Sequence, residues 1–585
     1  MTKKLTKKER KYVPEIEDTK NYIAYDGIKM YASTDIPLTK SESHVLLNTP
    51  TEIWKNFSVS LNKNSIKIIT EEKTLTRYVF DTIQSEDGNV TTDLWYYHPL
   101  FNSIKTVFIV SEDSRLPQED LIETLVARGY NVVVADYNGS NRNGLTSFPP
   151  SLAYGKSGQE NGRNKKVSPD AMGTCQYLYT AILRKCITFI NEILGKTDIV
   201  IVGIRSGVDI AMQVAGTEKK RISALACLCG AGYSEYKDLP KVSEKAFDTM
   251  DLELLSWMTG VSGVAYMKKY PHPVFSALGS NGPYGDVDRL SNLQSLLLNR
   301  LTVSISSHCN DSINAKSYTA FLQWLDCVFY NSEFPCEPNT VVTVNAEGYV
   351  YANVSASRPI NVKKVTVYYS YGIDDHTIRV WNKTLCETVG PAEFIARLEI
   401  DTPVTYLYYY TEVSYVNGMT VTELPKILNL SKYRPSIVAK TNDNLVFQYG
   451  DDEIMPFTEI SDNAILTENG VKEKSVPQGA KGVTCSTGNM RIYIGDICNE
   501  LSPNNILQVD SYSEDLSYEL TINVQRGEDV FFARKPVKNN HTFIATKIKC
   551  TDFKDSHYIS LPSWQGVNSL SIIGKNIVVN KMIFI

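Results

Sequence analysis

From residue 66 to residue 330, short apolar runs alternate with amphipathic stretches. TVFIV (106–110) is continuous in apolar, mostly β-branched residues, as a strand buried on both faces of a parallel sheet must be. QEDLIETLVARG (118–129) then has helical period, with acids in its first turn and a glycine at its end. NVVVADY (131–137) predicts the next strand. The loop after it, rich in Gly, Asn, Ser and Pro through about residue 165, is long enough to form the rim of a pocket. Residues 168–194 open on Ser-Pro and predict one long helix. DIVIVGI (198–204) predicts a strand, GVDIAMQVAG (207–216) a helix and ISALACLCG (222–230) a strand. PVFSALGS (273–280), LTVSISS (301–307) and the helical SYTAFLQWLDCVFY (317–330) complete the series. Such alternation predicts a doubly wound parallel sheet with helices on both faces.

After about residue 335 the texture changes to period-2 and β-rich runs broken by turns, among them NTVVTVN, KKVTVYYSY and VTYLYYYTEVSY. Asn417-Gly418 between two such runs is a hairpin signal. Tyr406, Tyr408 and Tyr410 alternate and so share a strand face, where burial is expected ahead of a ligand platform. The expected layout is a basic tail (1–20), a helix-and-strand domain with an N-terminal β extension (21–335), a small β-sandwich (338–433) and a jelly-roll β-sandwich (440–585).

Composition narrows the function classes. With 60 Lys and Arg against 65 Asp and Glu, the formal charge of -5 leaves no surplus cation for phosphates, which argues against nucleic acid. The Lys-rich N-terminus is not followed by the apolar stretch of a secretory signal, and no apolar run reaches the ~18 residues of a membrane span. A cytoplasmic location is therefore expected. The 11 cysteines are scattered, as free thiols in a reducing compartment would be. Cys227 and Cys229, two apart in an expected strand, would face one way, but no second pair completes a metal clip. Neither metal nor cofactor is expected.

Ligands of doubly wound sheets gather beyond the carboxyl ends of the strands, which directs attention to the turn IVIVGIRSGVDIA (199–211). Its core, Gly203-Ile204-Arg205-Ser206-Gly207, has the frame of G-x-S-x-G, the sharp strand-to-helix turn that lifts a nucleophile above the sheet. The middle residue is arginine, whose guanidinium is permanently protonated and cannot attack.

With that turn in place, residues 66–330 resemble the α/β-hydrolase superfamily, on the side of dienelactone hydrolases, acyl esterases and prolyl-oligopeptidase-like enzymes. LVARGYNVVVADYNG (125–139) resembles their fourth strand and its lead-in helix. PVFSALGSNGPYGDVDRLSNLQSLL (273–297) is similar to the stretch that brings the acid, with Gly282 where the aspartate belongs. SISSHCNDSINAKSYTAFLQWLD (304–326) resembles the histidine loop and last helix, with Asp311 at the histidine position. The resemblance thus implies that the triad positions are Arg205, Gly282 and Asp311, none of them competent. Glu112 and Asp113 follow the first strand of the pattern, where carboxylates would repel a forming oxyanion.

A pseudoenzyme that binds a ligand or protein partner, with carbohydrate as the ligand class considered, is the leading expectation. An Arg205–Asp311 ion pair would relieve a buried guanidinium there, with Glu112 or Asp113 as rivals and exposure to solvent as the simpler alternative. The competing reading is an active esterase or peptidase-like hydrolase on a displaced set, Ser206, His308 and Asp286 or Asp288, although a serine at 206 is also ordinary at a helix start. A third is a structural scaffold for assembly. The last block resembles a carbohydrate-binding-module jelly-roll, for which Trp564, Tyr558 and Phe532 are the candidate stacking residues, with Trp564 in SWQGVNSL expected to plug the sheet edge ahead of stacking on a sugar.

Overall fold

The computed structural model describes residues 49–111, 119–233, 257 and 260–585, apart from 142, 164–166, 168–170, 311, 336, 357–360, 372–374, 401–403, 434, 438–443, 450–457, 460–465, 468–470, 486–487, 499–500, 528, 539–540 and 575. The chain divides into two compact units: Met1–Leu278 with Pro283–Ser304 and Phe321–Pro335, and Gly279–Gly282 with Ile305–Ala320 and Cys336–Ile585.

The first unit is built on strands β1 (Lys67–Glu71), β2 (Leu75–Ser85), β3 (Gly88–Tyr97), β4 (Lys105–Ser111), β5 (Asn131–Asp136), β6 (Asp198–Ile204), β7 (Ala224–Leu228), β8 (Val274–Gly279) and β9 (Leu301–Ser306). Their order across the sheet is β1-β2-β3-β5-β4-β6-β7-β8-β9. The N-terminal extension is an antiparallel meander ending against β5, and β5, β4, β6, β7 and β8 run parallel. Every residue of β5 is buried; its middle, Val132–Ala135, reads as an apolar run, while the buried Asn131 at its start donates to Ser103 O at 2.7 Å.

Helix α1 (Pro50–Trp54) opens the described chain, capped by Thr49 and Glu52. It docks through Trp54, which stacks on Tyr177 at 4.5 Å, lies under the Arg184 guanidinium at 4.6 Å and donates its indole N–H to the Tyr266 hydroxyl at 3.0 Å. Tyr177 and Arg184 belong to α2 (Cys175–Glu192), thirteen of whose residues are buried. That helix begins later than the Ser-Pro signal predicts. Thr174 is the cap, its hydroxyl accepting from the Tyr177 N–H at 3.2 Å, and residues 168–170 lie outside the described residues.

Strand β7 is shorter than the sequence suggests. It stops at Leu228, and Cys229 turns into the left-handed region at φ 58°. The period-2 argument that aligned Cys227 with Cys229 therefore fails at its second residue. Among the described residues, no group of three or more His, Cys, Asp or Glu could hold a metal ion, and no helix is long and apolar enough to cross a membrane.

In the second unit, one antiparallel sheet orders Asn339–Val344, Val350–Ser355, Glu393–Leu398 and Glu387–Gly390. Another run orders Thr420–Thr422, Tyr406–Tyr415, Val362–Tyr371 and Asn382–Leu385. The Asn417-Gly418 hairpin forms, with Gly418 at φ 82° and Ser414 paired to Thr420. Tyr408 and Tyr410 are buried, and so are Leu407 and Tyr409 between them, so this strand is covered on both faces. The C-terminal part has a six-stranded and a five-stranded sheet. They enclose one core that includes Leu507, Ile522, Leu570, Met582 and Trp564.

Candidate functional site

Strand β6 ends at Ile204 and helix α3 (Gly207–Thr217) begins three residues later, so Arg205 and Ser206 make the whole turn. Arg205 adopts φ 53°, a left-handed conformation that costs a side-chain-bearing residue roughly 1 kcal/mol. Its backbone is tied on both sides: its N–H donates to Leu228 O at 2.9 Å, and its carbonyl accepts from Val208 at 3.0 Å. The flanking glycines are required by clearance. A Cβ at Gly203 would lie 2.6 Å from Val208 Cα, and one at Gly207 would lie 2.4 Å from Val110 O. This is the sharp bend of a nucleophile elbow, with a half-buried arginine at its apex. Ser206 is exposed in right-handed helical backbone, and its hydroxyl makes no cap hydrogen bond.

Asp286, the displaced acid, is committed elsewhere in the first unit. It caps a short turn by accepting from the Asp288 N–H at 3.0 Å and pairs with Arg289 Nε at 3.2 Å. Both members of the pair are buried, and an ion pair taken out of water is strongly destabilised when one partner is lost.

The acid and histidine loops fall in the second unit. At Gly282 a Cβ would lie 2.8 Å from Asn310 O, so an aspartate does not fit without movement of that backbone. The Gly282 carbonyl accepts from His376 Nε2 at 2.9 Å. Beside it, the Asn281 side-chain amide donates to Arg379 O at 2.7 Å and His376 O at 3.1 Å. The turn His376–Ile378 and the residues just after it thus occupy the acid loop. Arg379 is itself buried, its guanidinium 3.7 Å from the Tyr408 ring and 5.4 Å from the Trp381 ring.

His308 also adopts a left-handed backbone, at φ 57°. Its Nε2 accepts the Trp381 backbone N–H at 2.9 Å, so the neutral ring carries its proton on Nδ1. Burial, with Lys383 nearby, holds the imidazole down at about 4. An Nε2 already engaged by a backbone donor has no lone pair left with which to take a proton from a hydroxyl.

Asp311, Glu112 and Asp113 lie outside the described residues, and with them the expected Arg205 ion pair and its rivals. The stacking candidates separate. Trp564 has no exposed surface, sits edge-on to Phe553 and Phe584, and donates its N–H to Asn505 O at 2.9 Å. A ring so enclosed has no face to offer a sugar; it is part of the core between the six-stranded and five-stranded sheets. Tyr558 is 81% exposed, and Phe532 is half-buried on an edge strand bridged to Lys554.

Sequence reasoning overlooked the partners of these residues: His376 at Gly282, Arg379 at Asn281, Trp381 at His308, Tyr493 stacked on the His308 ring at 6.0 Å, and Arg289 at Asp286. The string DDHTIRVW (374–381), with its charges set among aromatic and β-branched residues, was the available signal.

Solved structures similar to this chain are α/β-hydrolases. Acetyl xylan esterase 1 from Thermoanaerobacterium sp. JW/SL YS485 aligns over 50% of this chain and 99% of its own, at 11% identity and a TM-score of 0.37. An acetyl xylan esterase from Paenibacillus sp. R4 covers the same shares at 14% identity and a TM-score of 0.34. A predicted CIB-like hydrolase from Thermoplasma acidophilum covers 46% of this chain and 98% of its own, at 12% identity and a TM-score of 0.28. At such scores the likeness bears no weight, and the α/β-hydrolase-like reading of the first half stands on strand order and the elbow. No protein-family model matches the chain, and no curated protein matches it.

Proposed function

We propose that this chain is a hydrolase-like protein without acyl-transfer chemistry that works by binding a ligand or a protein partner. The observation that carries the reading is Arg205, a permanent cation at the left-handed apex of the elbow. The displaced set supports it from the other side. Ser206 stands in helical backbone, Asp286 is paired with Arg289, and the Nε2 of His308 is occupied. Proximity catalysis demands the three groups aligned to within a few tenths of an ångström, and two of them, Asp286 and His308, are engaged by other partners.

Carbohydrate is the ligand class to test first, at the C-terminal β-sandwich, which we read as a jelly-roll. Tyr558 supports that reading, because an exposed phenol ring on a tight loop offers a stacking face together with a hydroxyl for hydrogen bonding.

The test has two parts. A fluorophosphonate probe leaves the wild-type chain unlabelled under this reading, whereas labelling abolished by Ser206→Ala would establish the active hydrolase instead. On a glycan array, any signal is lost in Tyr558→Ala, while an array that stays blank turns the search to protein partners.

A further inference from the structure

The loop that in a hydrolase presents the catalytic histidine makes an unusual set of contacts here, all within the second unit. The His308 N–H donates to the Ser280 hydroxyl at 2.8 Å, and that hydroxyl donates on to Asn281 Oδ1 at 2.7 Å. The ring then reaches two β segments. Nε2 takes the Trp381 N–H from the turn leading into Asn382–Leu385, and the ring stacks on Tyr493 of the strand Asn489–Tyr493 at 6.0 Å. Ile305 N–H donates to the Thr422 hydroxyl at 3.2 Å, and Ile313 pairs with Leu466. The acid loop is bound in the same manner through Asn281 and Gly282 to residues 376–379.

We propose that the acid and histidine loops of the hydrolase pattern serve here as brackets for the β segments, and that His308 makes this fastening acid-sensitive. The inference does not depend on the proposed function, since it rests on contacts within the second unit alone.

The chemistry of the switch follows from one lone pair. Protonation of Nε2 turns the acceptor of the Trp381 N–H into a donor, so two donors then face each other. Among the described residues, the charge that acts on the ring is that of Lys383 on Asn382–Leu385, which opposes a second cation; Asp311, three residues along the loop, lies outside them. Tyr493 brings a phenol ring, and Ser280 accepts from the backbone only. Glu412 acts on Tyr368 and Tyr410 and is bridged to Lys316 at 2.9 Å. With the loop fastened, the imidazole stays neutral down to about 4; released into water, it takes its proton near 6.5. Acidification between those values therefore favours the unfastened form.

Hydrogen exchange on the full chain tests this. After correction for the intrinsic pH dependence, exchange at the Trp381 and Tyr493 amides accelerates by at least about tenfold between pH 6.5 and 4.5, since each pH unit in that window is worth up to a factor of ten. The Val200–Val202 amides of β6 do not change. In His308→Gln, whose side-chain oxygen still accepts the Trp381 N–H but does not titrate, the acceleration disappears. Equal acceleration in the variant and the wild type would overturn the proposal. Should His308→Gln fail to fold, the wild-type imidazole resonances decide. A His308 ring neutral at pH 5 is the expected result; one that titrates near 6.5 with the Trp381 amide undisturbed overturns it.

Discussion

Asp286 and Arg289 face each other in the interior of the first unit, Oδ2 to Nε at 3.2 Å, with 2% and 1% of their side chains exposed. Two charges this far from water are held by each other and by the hydrogen bonds around them, so removing either takes from the other a buried counter-charge. Asp286→Asn and Arg289→Met should each lower unfolding stability by about 3–5 kcal/mol. The double variant should lose clearly less than the sum, as chemical denaturation of all four proteins would show.

The elbow makes a paired prediction with opposite signs. Gly207→Ala drives a methyl to 2.4 Å from Val110 O, which is backbone and cannot move aside, so a loss of about 2 kcal/mol or more is expected. Arg205→Gly relieves the left-handed strain at φ 53° and should cost nothing or stabilise by up to about 1 kcal/mol. Thermal unfolding of the two variants should move in different directions, and a large loss in Arg205→Gly would show that its side-chain contacts outweigh the strain.

Arg205→Ser tests the proposed function. A hydroxyl at the apex supplies an attacking atom in the first unit, while within the second unit Gly282 stays blocked by Asn310 O and His308 engaged by Trp381. No ester hydrolysis above the wild-type background is expected with an activated acetyl ester. Turnover in this variant would mean that the histidine loop supplies a base after all.

Trp54 joins α1 to the first unit through a stack, a cation–π contact and an indole hydrogen bond. Trp54→Ala should destabilise by about 3–5 kcal/mol, and Trp54→Phe by less, since the ring stack survives and only the hydrogen bond to Tyr266 is lost.

Glu423 supplies a pH prediction. Burial raises its carboxyl above the ordinary 4.5, against the opposing pull of Lys426 and Thr340. A carboxylate whose pKa is higher folded than unfolded makes the fold bind protons, so its contribution falls as pH rises from 4.5 through the raised value. The stability of Glu423→Gln relative to wild type should therefore increase with pH across that window and level off above it. A difference independent of pH would contradict the assignment.

Much of the first unit was legible because the middle of a strand buried on both faces is kept apolar. VFIV, VVVA and IVIV stand out by what they lack, with the polar Thr106, Asn131, Asp136 and Asp198 set at or near the strand ends. The elbow was legible for a similar reason, since its glycines are imposed by backbone clearance at Gly203 and Gly207. Element ends were harder. Ser-Pro at 168–169 and Thr174 are both plausible helix starts by local chemistry, and only packing selects the later one. Cys229 looks like strand until its φ is known. Long-range contacts were not legible at all. Nothing local to His308 announces that a backbone N–H 73 residues away will take its lone pair.

The bend at residue 205 is held by backbone, through strand, clearances and main-chain ties, and not by the side chain that it carries. Under the proposed function, a serine at that position is the smaller part of rebuilding catalysis; the larger part is to loosen the two loops that engage β segments of the second unit.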